Sequence, residues 1–465
     1  MLQIKRSARR TAFILLGDVV ILFSSYLAAY YVRFGHINGF SEKFPVSILI
    51  VMILGYLAIF YLFDLYSFRK DAFALTSFIR MALSILAASV FVSFLKYGLS
   101  LIPIGRGIFF IANFIILVAA FLWRSFSDHL FKYLVKPKNV TVIGTGELGV
   151  TVAQIIREHS HDFKFIGFLV EEKKTEGRGG PSFSGNIIGS TDQLLSCLET
   201  YALDLIVLAY PEKGGSGLID DILKAQLKGV EVHDSYDMYQ ILCQRVPLDY
   251  IKDQAWFLNF RGFEPANKTW SGKIERLLDI GVSSCVLLLS LPLWVPVAVL
   301  IKLNSRGPVF YKQHRVGSRE REFLVYKFRS MIQNAEEDQA LWATQDDKRI
   351  TAVGKVIRKI HVDELPQLWN VLRGDMSLVG PRPERPQFVN HLKQEIPFYS
   401  LRHLVKPGLT GWAQVNYPYA SSLEDSKKKL EYDLYYIAHQ SLFLDLLTLI
   451  KTAQKIFGGR TIQRS

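Results

Sequence analysis

The stretch that decides the fold is Ile280–Leu300, which reads IGVSSCVLLLSLPLWVPVAVL. Its 21 residues match the roughly 20 apolar residues that a helix needs to cross a bilayer. Pro292 and Pro296 lie inside it, and an interior proline removes a helical hydrogen bond. The length therefore predicts a membrane helix, and the prolines predict a break at Leu291-Pro292.

Basic residues flank this stretch on both sides. They are Lys273 and Arg276 before it and Lys302 and Arg306 after it. The positive-inside rule places both ends in the cytoplasm. A re-entrant helix–break–helix hairpin over about residues 276–303 satisfies this placement, and Ser290 could bond a backbone group freed at the break. The alternative is a kinked helix that crosses the bilayer.

Two adjacent carboxylates, Asp363 and Glu364, follow this stretch along the chain. Five cations precede them: Lys348, Arg349, Lys355, Arg358 and Lys359. Since proline is tolerated only in the first turn of a helix, Pro366 predicts that the pair begins a helix running to about residue 373. Acids in that position are common as caps, which is one interpretation of the pair.

The second interpretation of the acid pair is chemical. Mg²⁺ is typically held by one or two carboxylates plus substrate phosphates. A carboxylate can also attack phosphorus as a nucleophile, with arginines neutralising the transferred group. Arg382 lies between two prolines, so its backbone is stiff, and a fixed arginine suits bidentate phosphate contact. A surface arginine in a turn is the alternative for this residue.

Upstream, residues 138–250 alternate strands and helices, which predicts a parallel α/β domain. The predicted strands are 139–144, 163–170, a short one at 187–188, 203–209 and 230–233, with helices to about 159 and over about 217–228. Gly144, Gly146 and Gly149 form a GxGxxG between the first strand and its helix, where a Rossmann-like domain binds a pyrophosphate, and Glu171 ends the second strand. These glycines are a possible nucleotide loop, or they only make the turn.

The first 125 residues hold four apolar stretches, at about 12–31, 47–65, 81–97 and 107–123. Lys and Arg are most frequent before the first stretch, between the second and third, and after the fourth. This distribution predicts a four-helix transmembrane domain with both ends inside. Asp18 lies within the first stretch and either contacts another helix or lies at the interface.

Composition narrows the class of protein. The chain of 465 residues is 50% hydrophobic and carries a formal charge of +13, which suits an anionic partner. The bunched apolar segments favour lipid headgroups or phosphorylated substrates over nucleic acid. Three cysteines without CxxC or zinc spacing exclude a disulfide framework and a zinc site of the usual pattern.

Several short strings carry a resemblance to a known family. They are Gly307–Tyr311, Arg315–Gly317, Tyr326–Met331, Asp363–Asn370, Arg373–Ser377, Gly380–Glu384 and Lys406–Asn416. In this order they resemble the catalytic unit of the monotopic polyprenyl-phosphate sugar-1-phosphate transferases of bacterial surface polysaccharide synthesis. The four-span block and the Rossmann-like domain resemble the long members of that family.

The resemblance implies a role for each matching residue. Asp363 would be the nucleophile and Glu364 its partner in binding Mg²⁺. Lys327, Arg329, Arg358 and Arg382 would contact substrate phosphate, and Lys273 and Arg276 would begin the hairpin. The implied substrates are a UDP-hexose, with glucose or galactose favoured, and undecaprenyl phosphate. A homodimer is implied by analogy alone.

The predicted fold class is therefore a membrane α-helical bundle (1–125), an α/β Rossmann-like domain (138–250) and a small α/β monotopic catalytic domain with a re-entrant hairpin (268–465). The predicted location is the bacterial inner membrane, with the catalytic domain on the cytoplasmic face. Two competitors remain, a non-catalytic assembly or regulatory protein and a membrane nucleotide-sugar dehydratase or epimerase. The second needs a Tyr-x-x-x-Lys pair after the glycines, and the one spacing of this type, Tyr66–Lys70, precedes them.

Overall fold

The computed structural model describes residues 2–63, 65–66, 75–97, 105–134, 136–158, 163–170, 186–209, 216–251, 270–332, 349–417 and 422–457. Glu171 and Lys70 lie outside the described residues. The chain divides into two compact units, Met1–Leu242 and Cys243–Ser465, and each is described by itself below.

The first unit begins with a helical bundle. Its helices are Leu2–Phe34, the short Phe40–Lys43, Val46–Leu62, Leu75–Tyr97 and Arg106–Leu134. Thr11–Phe34 and Arg106–Ser127 are long and apolar enough to cross a membrane, whereas Val46–Leu62 and Met81–Phe94 are shorter apolar segments. All four predicted membrane segments are thus helical, which confirms the helical part of the predicted fold.

A chain of polar contacts links the four long helices inside the bundle. The hydroxyls of Tyr26 and Tyr56 lie 3.2 Å apart, and Tyr56 donates to Asn113 Oδ1 at 2.8 Å. Ser89 donates to the same oxygen at 2.9 Å. Polar groups in an apolar interior are costly unless they are paired, so these contacts select one arrangement of the helices.

Asp18 contacts another helix, as one of the two sequence interpretations expected. Arg124 donates to both of its carboxylate oxygens, at 3.0 and 2.8 Å, and Tyr66 adds a third bond at 2.8 Å. The Asp18 side chain is fully buried. The pair joins the first and last helices of the bundle, and its two-pronged geometry satisfies charges that would otherwise be isolated.

The rest of the first unit contains a five-stranded sheet in the order β3-β2-β1-β4-β5, with all neighbours parallel. The strands are β1 (Lys138–Ile143), β2 (Phe163–Val170), β3 (Ile187–Ser190), β4 (Leu205–Leu208) and β5 (Glu231–Asp234). The helices are Glu147–Glu158, Leu194–Thr200, Ser216–Leu227 and Ser235–Cys243. Nearly continuous burial of β1 and β4 is typical of a parallel sheet that is covered on both faces. The predicted parallel α/β domain is confirmed, and its Rossmann-like classification stays a prediction.

The second unit contains one long apolar helix, Trp270–Asn304, which is followed by a small α/β core. Its strands are the antiparallel pair Phe310–Val316 and Glu322–Phe328 and the parallel pair Ser377–Val379 and Gly408–Thr410. Its other helices are Ala352–Lys359, Gln367–Arg373, Pro386–Glu395, Trp412–Asn416, Leu423–Ala438 and Leu442–Phe457. Short 3₁₀ turns occur at Leu248–Tyr250, Ser318–Glu320, Val362–Glu364 and Tyr399–Leu404.

The predicted interruption of the apolar helix is not observed, because the helix continues through Pro292 and Pro296. Pro292 lacks the N–H that would bond the carbonyl of Leu288. Near this point Ser290 Oγ donates to the Leu287 carbonyl at 2.9 Å and accepts from Trp294 Nε1 at 3.2 Å. The Leu287 carbonyl is not one of those that the prolines free, so the role of Ser290 as partner of a freed backbone group stays a prediction. Where this helix lies in a bilayer stays a prediction.

The segment Cys243–Ile251, expected to end the middle domain, lies in the second unit. Val246 and Leu248 are buried in the core of that unit, and Val246 N donates to the Glu431 carbonyl at 3.0 Å. Trp412 Nε1 donates to the Gln244 carbonyl at 3.1 Å. Apolar burial and these backbone contacts explain why the segment belongs to the second unit.

Candidate functional site

The acid pair lies in the 3₁₀ turn Val362–Glu364, between the helices Ala352–Lys359 and Gln367–Arg373. His361 adopts a left-handed conformation (φ 55°) that stops the first helix, and Pro366 caps the second. The expected helix to Arg373 is present, but it begins at Gln367, so the pair occupies a separate turn before it. This turn places Asp363 inside the unit with 7% of its surface exposed.

Glu364 is held by two cations at one oxygen. Lys327 Nζ and Arg382 Nη2 each donate to Glu364 Oε1 at 2.7 Å. Lys327 projects from the strand Glu322–Phe328, and its neighbour Phe328 points the other way, since side chains alternate along a strand. Phe328 packs edge-on against Trp294 of the apolar helix, with ring centroids 5.2 Å apart. Packing against that helix therefore fixes the strand that presents Lys327.

The two carboxyl groups have pKa values shifted in opposite directions. Burial, and then repulsion from Glu364, raise the pKa of Asp363. Burial alone would also raise the pKa of Glu364, but the charges of Arg382 and Lys327 outweigh it and hold that pKa well below its usual range. Burial lowers the pKa of Lys327. Titratable pairs whose environments separate their pKa values are typical of catalytic sites.

The Asp363 carboxylate accepts no hydrogen bond or ion pair from the described residues. Glu364 Oε2 likewise has no partner among them, because both cations bond Oε1. The described residues contain no cluster of three or more His, Cys, Asp and Glu side chains. Since Mg²⁺ often takes only one or two carboxylates and completes its shell with phosphate and water, Asp363 and Glu364 Oε2 fit that ion.

The other two residues predicted to contact phosphate, Arg358 and Arg329, lie in different surroundings. Arg358 Nε donates to Ser330 Oγ at 2.7 Å, and its charge favours ionised Asp363. Arg329 is buried, and its two Nη atoms donate to the carbonyls of Ser305 and Arg306, just after the apolar helix. The structure therefore brings Lys327, Arg358 and Arg382 to the acid pair. It places the Arg329 guanidinium on backbone oxygens instead, and its phosphate role stays a prediction.

The predicted hairpin residues lie at the base and middle of the apolar helix. Arg276 donates to the carbonyls of Val371 and Leu372 at 2.6 and 2.8 Å, at the C-terminal end of the helix that follows the acid pair. Lys273 is exposed, and Pro292 lies inside the helix. Asp279, which the sequence analysis missed, accepts from Leu378 N and Ser377 Oγ at 2.9 and 3.1 Å. Arg276 and Asp279 thus attach the helix to the core beside the acid pair.

The glycine loop of the first unit makes a tight turn and a close contact. Gly144 has a φ of +98°, which favours glycine. A Cβ at Gly149 would lie 2.5 Å from Ala209 Cβ, so this glycine lets its helix approach β4. These two functions account for Gly144 and Gly149 without a ligand. Nucleotide binding at Gly144, Gly146 and Gly149 stays a prediction.

Sequence reasoning also missed Arg402 and Asp433, which form a buried ion pair at 2.9 Å behind Arg382. Asp433 could have been noticed as a lone acid in the apolar run Tyr432–Ile437, since such an acid needs a partner. That run is part of the helix Leu423–Ala438, which is packed into the core. The following helix, Leu442–Phe457, buries Leu444 and exposes Phe443 and Leu446.

Comparison with known proteins identifies relatives of this chain. The family described as bacterial sugar transferase matches residues 270–459. The UDP-glucose:undecaprenyl-phosphate glucose-1-phosphate transferase of Xanthomonas campestris pv. campestris is 30% identical over 489 residues, covering 98% of this chain and 96% of the relative. The UDP-N-acetylgalactosamine-undecaprenyl-phosphate N-acetylgalactosaminephosphotransferase of Aeromonas hydrophila is 52% identical over 186 residues.

The extent of each match differs. The Aeromonas match covers 40% of this chain and 44% of that relative, so this chain aligns with less than half of its length. The uncharacterized sugar transferase EpsL of Bacillus subtilis is 40% identical over 196 residues, which is 41% of this chain and 91% of EpsL. The Xanthomonas match spans both units of the chain.

Proposed function

This chain belongs to the bacterial sugar transferases, the polyprenyl-phosphate sugar-1-phosphate transferases, and on that premise we propose the following reaction. It transfers hexose 1-phosphate from a UDP-hexose to undecaprenyl phosphate and releases UMP. The observation that carries the proposal is the acid pair, in which Asp363 lacks partners among the described residues and Glu364 is neutralised by Lys327 and Arg382. The proposed nucleophile thus lies beside two cations that can neutralise the charge of the transferred group.

In the first step, a carboxylate oxygen of Asp363 attacks the β-phosphorus of the UDP-hexose. A bond forms between that oxygen and phosphorus while the bond to the bridging oxygen breaks, and UMP leaves with the electron pair. In the second step, a phosphate oxygen of undecaprenyl phosphate attacks the same phosphorus and the Asp363 carboxylate leaves. The product is undecaprenyl-diphosphate-hexose, and Asp363 returns to its starting state.

The residues around Asp363 contribute charge and orientation. Lys327 and Arg382 lie 2.7 Å from Glu364, next to where the transferred phosphoryl group would bind, and Arg358 lies near Asp363. Preorganised cations at such a place stabilise charge that develops during phosphoryl transfer. Asp363 and Glu364 Oε2 would hold Mg²⁺, which when bound neutralises charge on the diphosphate. Burial of Asp363 keeps water away from the attacking oxygen.

The apolar helix supports a lipid acceptor. It is long and apolar enough to cross a membrane, and its surface is largely exposed in the described residues. The basic residues at both of its ends favour a re-entrant placement on the cytoplasmic face of the bacterial inner membrane. This placement requires the continuous helix to bend at Pro292 and Pro296 rather than to break there. Undecaprenyl phosphate would then reach the acid pair from the membrane and the UDP-hexose from the cytoplasm. A homodimer is compatible with this arrangement and stays a prediction.

Two classes of donor are candidates. The sequence resemblance favours UDP-glucose or UDP-galactose, and the Xanthomonas relative is named for glucose. The 52% identity to the Aeromonas relative over 186 residues favours UDP-N-acetylgalactosamine as the second candidate. An assay with UDP-glucose, UDP-galactose and UDP-N-acetylgalactosamine as separate donors distinguishes the two classes.

The test is a UMP-release assay with undecaprenyl phosphate and Mg²⁺, run on the full chain in membranes or detergent across the donor panel. We expect turnover with one donor and its loss on chelation. The Asp363→Asn variant keeps the size of the side chain and should lose turnover by at least about 10³-fold, since the nucleophile is removed. Near-normal activity of this variant would disprove the covalent mechanism.

The competing functions give different results in the same assay. A folded, membrane-inserted protein without turnover on any donor would favour a non-catalytic assembly or regulatory protein. Conversion of the sugar without UMP release would indicate a dehydratase or epimerase.

A further inference from the structure

We propose that Arg402 is a positioning residue that acts through Arg382. It holds the segment Pro381–Glu384 so that the Arg382 guanidinium reaches Glu364 of the acid pair. Arg402 itself touches neither acid of the pair in the described residues. The inference rests on the proposed function, because it assigns Arg382 to the transferred phosphate.

The segment that carries Arg382 is bonded at four consecutive carbonyls. Gly408 N donates to the Pro381 carbonyl at 2.9 Å, and Val316 N donates to the Glu384 carbonyl at 2.9 Å. The two carbonyls between them accept from arginines. Arg402 Nη2 donates to the Arg382 carbonyl at 3.0 Å, and Arg315 Nη1 donates to the Pro383 carbonyl at 3.0 Å.

These four contacts come from three separate parts of the fold. They are the strands Gly408–Thr410 and Phe310–Val316, which supply Gly408, Arg315 and Val316, and the turn Tyr399–Leu404, which supplies Arg402. The flanking prolines have fixed φ values and no N–H, so the segment offers four carbonyls but only two backbone donors, those of Arg382 and Glu384. These four hydrogen bonds limit movement of the Arg382 backbone to small displacements.

Among these four contacts, the hydrogen bond to the backbone of Arg382 itself comes from Arg402. Its other bonds fix its own position: Nη1 donates to Tyr399 Oη at 2.6 Å, and Nη2 also donates to Asp433 Oδ2 at 2.9 Å. Both members of the Arg402–Asp433 pair are buried, at 7% and 3% side-chain exposure. The guanidinium therefore has one orientation, and that orientation is aimed at the Arg382 carbonyl.

A buried ion pair is a poor way to gain stability, because apolar residues of the same volume often stabilise a core as well or better. The pair is better explained by geometry. A planar guanidinium can bond a hydroxyl, a carboxylate and a carbonyl in fixed directions, whereas a lysine ammonium acts as a compact charge on a flexible stem. The chemistry of the site therefore requires arginine at position 402 and not only a cation.

The test compares Arg402→Lys and Asp433→Asn with a matched control on the same helix. Glu431 is also a buried carboxylate, and it pairs with Lys428 and Arg245 without contacting the Arg382 segment. Glu431→Gln should lower the melting temperature about as much as Asp433→Asn, yet leave kcat/KM within about threefold of wild type. Arg402→Lys should lower kcat about 10- to 100-fold with a smaller change in KM, as expected for misplacement of a catalytic group.

A double-mutant cycle shows whether Arg402 acts through Arg382. In an Arg382→Ala background, Arg402→Lys should cost less than about twofold more, because the group it positions is gone. Additive losses, or an equal loss of kcat in Glu431→Gln, would assign Arg402 to stability alone and overturn the proposal.

Binding of Mg²⁺ with UDP provides a readout that does not need turnover. We expect this mixture to raise the melting temperature of the wild-type chain, and Arg382→Ala and Arg402→Lys to reduce that rise together. If no donor supports UMP release but this pattern holds, the proposed reaction fails and the positioning role stands. If Arg402→Lys keeps the full rise, the positioning role fails whatever the reaction is.

Discussion

Asp363 and Glu364 are adjacent in sequence but have opposite electrostatic surroundings. Lys327 and Arg382 both bond Glu364, while Asp363 is buried beside the resulting cluster without a partner among the described residues. One carboxyl group therefore remains charged at low pH, and the other gains a proton more easily than an ordinary aspartate. The roles of two similar side chains are thus set by their neighbours.

This difference predicts the acid limb of the pH–rate profile. In the proposed reaction Asp363 must be ionised to attack phosphorus, so we expect activity to fall as pH decreases through its raised pKa. The charge of Lys327 lowers the pKa of Asp363. In Lys327→Met, we expect the acid limb to move to higher pH by about one unit, together with a lower maximal rate.

The control for this prediction is Lys312→Met, on the neighbouring strand. Lys312 is exposed and lies over the Tyr326 ring, 5.6 Å from its centroid. Its loss should leave the acid limb in place. The profile of kcat/KM between about pH 5 and 9 would be measured for both variants, and an unmoved limb in Lys327→Met would contradict the electrostatic account.

At the scale of elements, the apolar helix is attached to the core through main-chain atoms. Arg276 bonds the last carbonyls of the helix Gln367–Arg373, and Asp279 bonds Leu378 N. A cation at the C-terminal end of a helix is favoured by the helix dipole and satisfies carbonyls that lack partners. The helix that follows the acid pair therefore depends on a residue of the apolar helix.

Arg276→Ala should lower the free energy of unfolding by about 1–3 kcal/mol, because buried carbonyls lose charged donors. UMP release should fall as well, since the acid pair lies directly before this helix. Arg319→Ala removes an exposed arginine from the same unit and serves as the control. Melting temperatures in detergent would be compared, and equal values for the two variants would argue against the contact.

The ion pair between Asp18 and Arg124 in the helical bundle gives a second prediction about contacts between elements. Asp18→Ala leaves the largely buried Arg124 without its carboxylate, and loss of one partner of a buried pair typically costs about 3–5 kcal/mol. Ser24→Ala, at an exposed position of the same helix, should change stability little. Thermal unfolding in detergent would compare the two. A loss of less than about 1 kcal/mol for Asp18→Ala would mean that this pair contributes little to the bundle.

Helices and strands could be predicted from the sequence better than the contacts between them. The strands at 138–143 and 163–170 follow from runs of β-branched and aromatic residues, which are local signals. The acid pair was found because its two members are adjacent. Arg402 reaches Arg382 across 20 residues, and Arg329 bonds the end of a helix, so no local pattern indicated either contact.

The continuous apolar helix shows a further limit of local rules. Prolines 292 and 296 predicted a break, yet each removes only one backbone hydrogen bond, and the bonds on either side keep the helix together. Packing decides between the two outcomes, and packing involves residues far away in the chain. Trp294, for example, lies against Phe310 and Phe328.

At the scale of the whole molecule, the second unit holds every residue of the proposed site. A relative of about this size, EpsL, aligns over 91% of its length with 41% of this chain. We expect a fragment from Cys243 to Ser465 to fold in membranes and to release UMP within about tenfold of the full chain. Activity per mole of folded protein is the measurement.

The boundary of that fragment can be tested separately. A fragment that starts at residue 268 lacks Val246 and Leu248, which are buried in the core. Each buried aliphatic side chain contributes about 1.5–3 kcal/mol, so the shorter fragment should melt at a lower temperature. Equal stability of the two fragments would show that residues 243–251 are dispensable.

The polar contacts of the bundle also have a consequence for how the chain is made. Asn113 accepts from Tyr56 and Ser89, and Arg124 pairs with Asp18, so the helix Arg106–Leu134 supplies partners to all three long helices before it. During synthesis those helices leave the ribosome first, so Asp18 can meet Tyr66 but lacks its cation Arg124 until the last helix follows. Assembly of the bundle therefore waits for its last helix, and a nascent chain that stalls before Arg106 would be a substrate for membrane quality control.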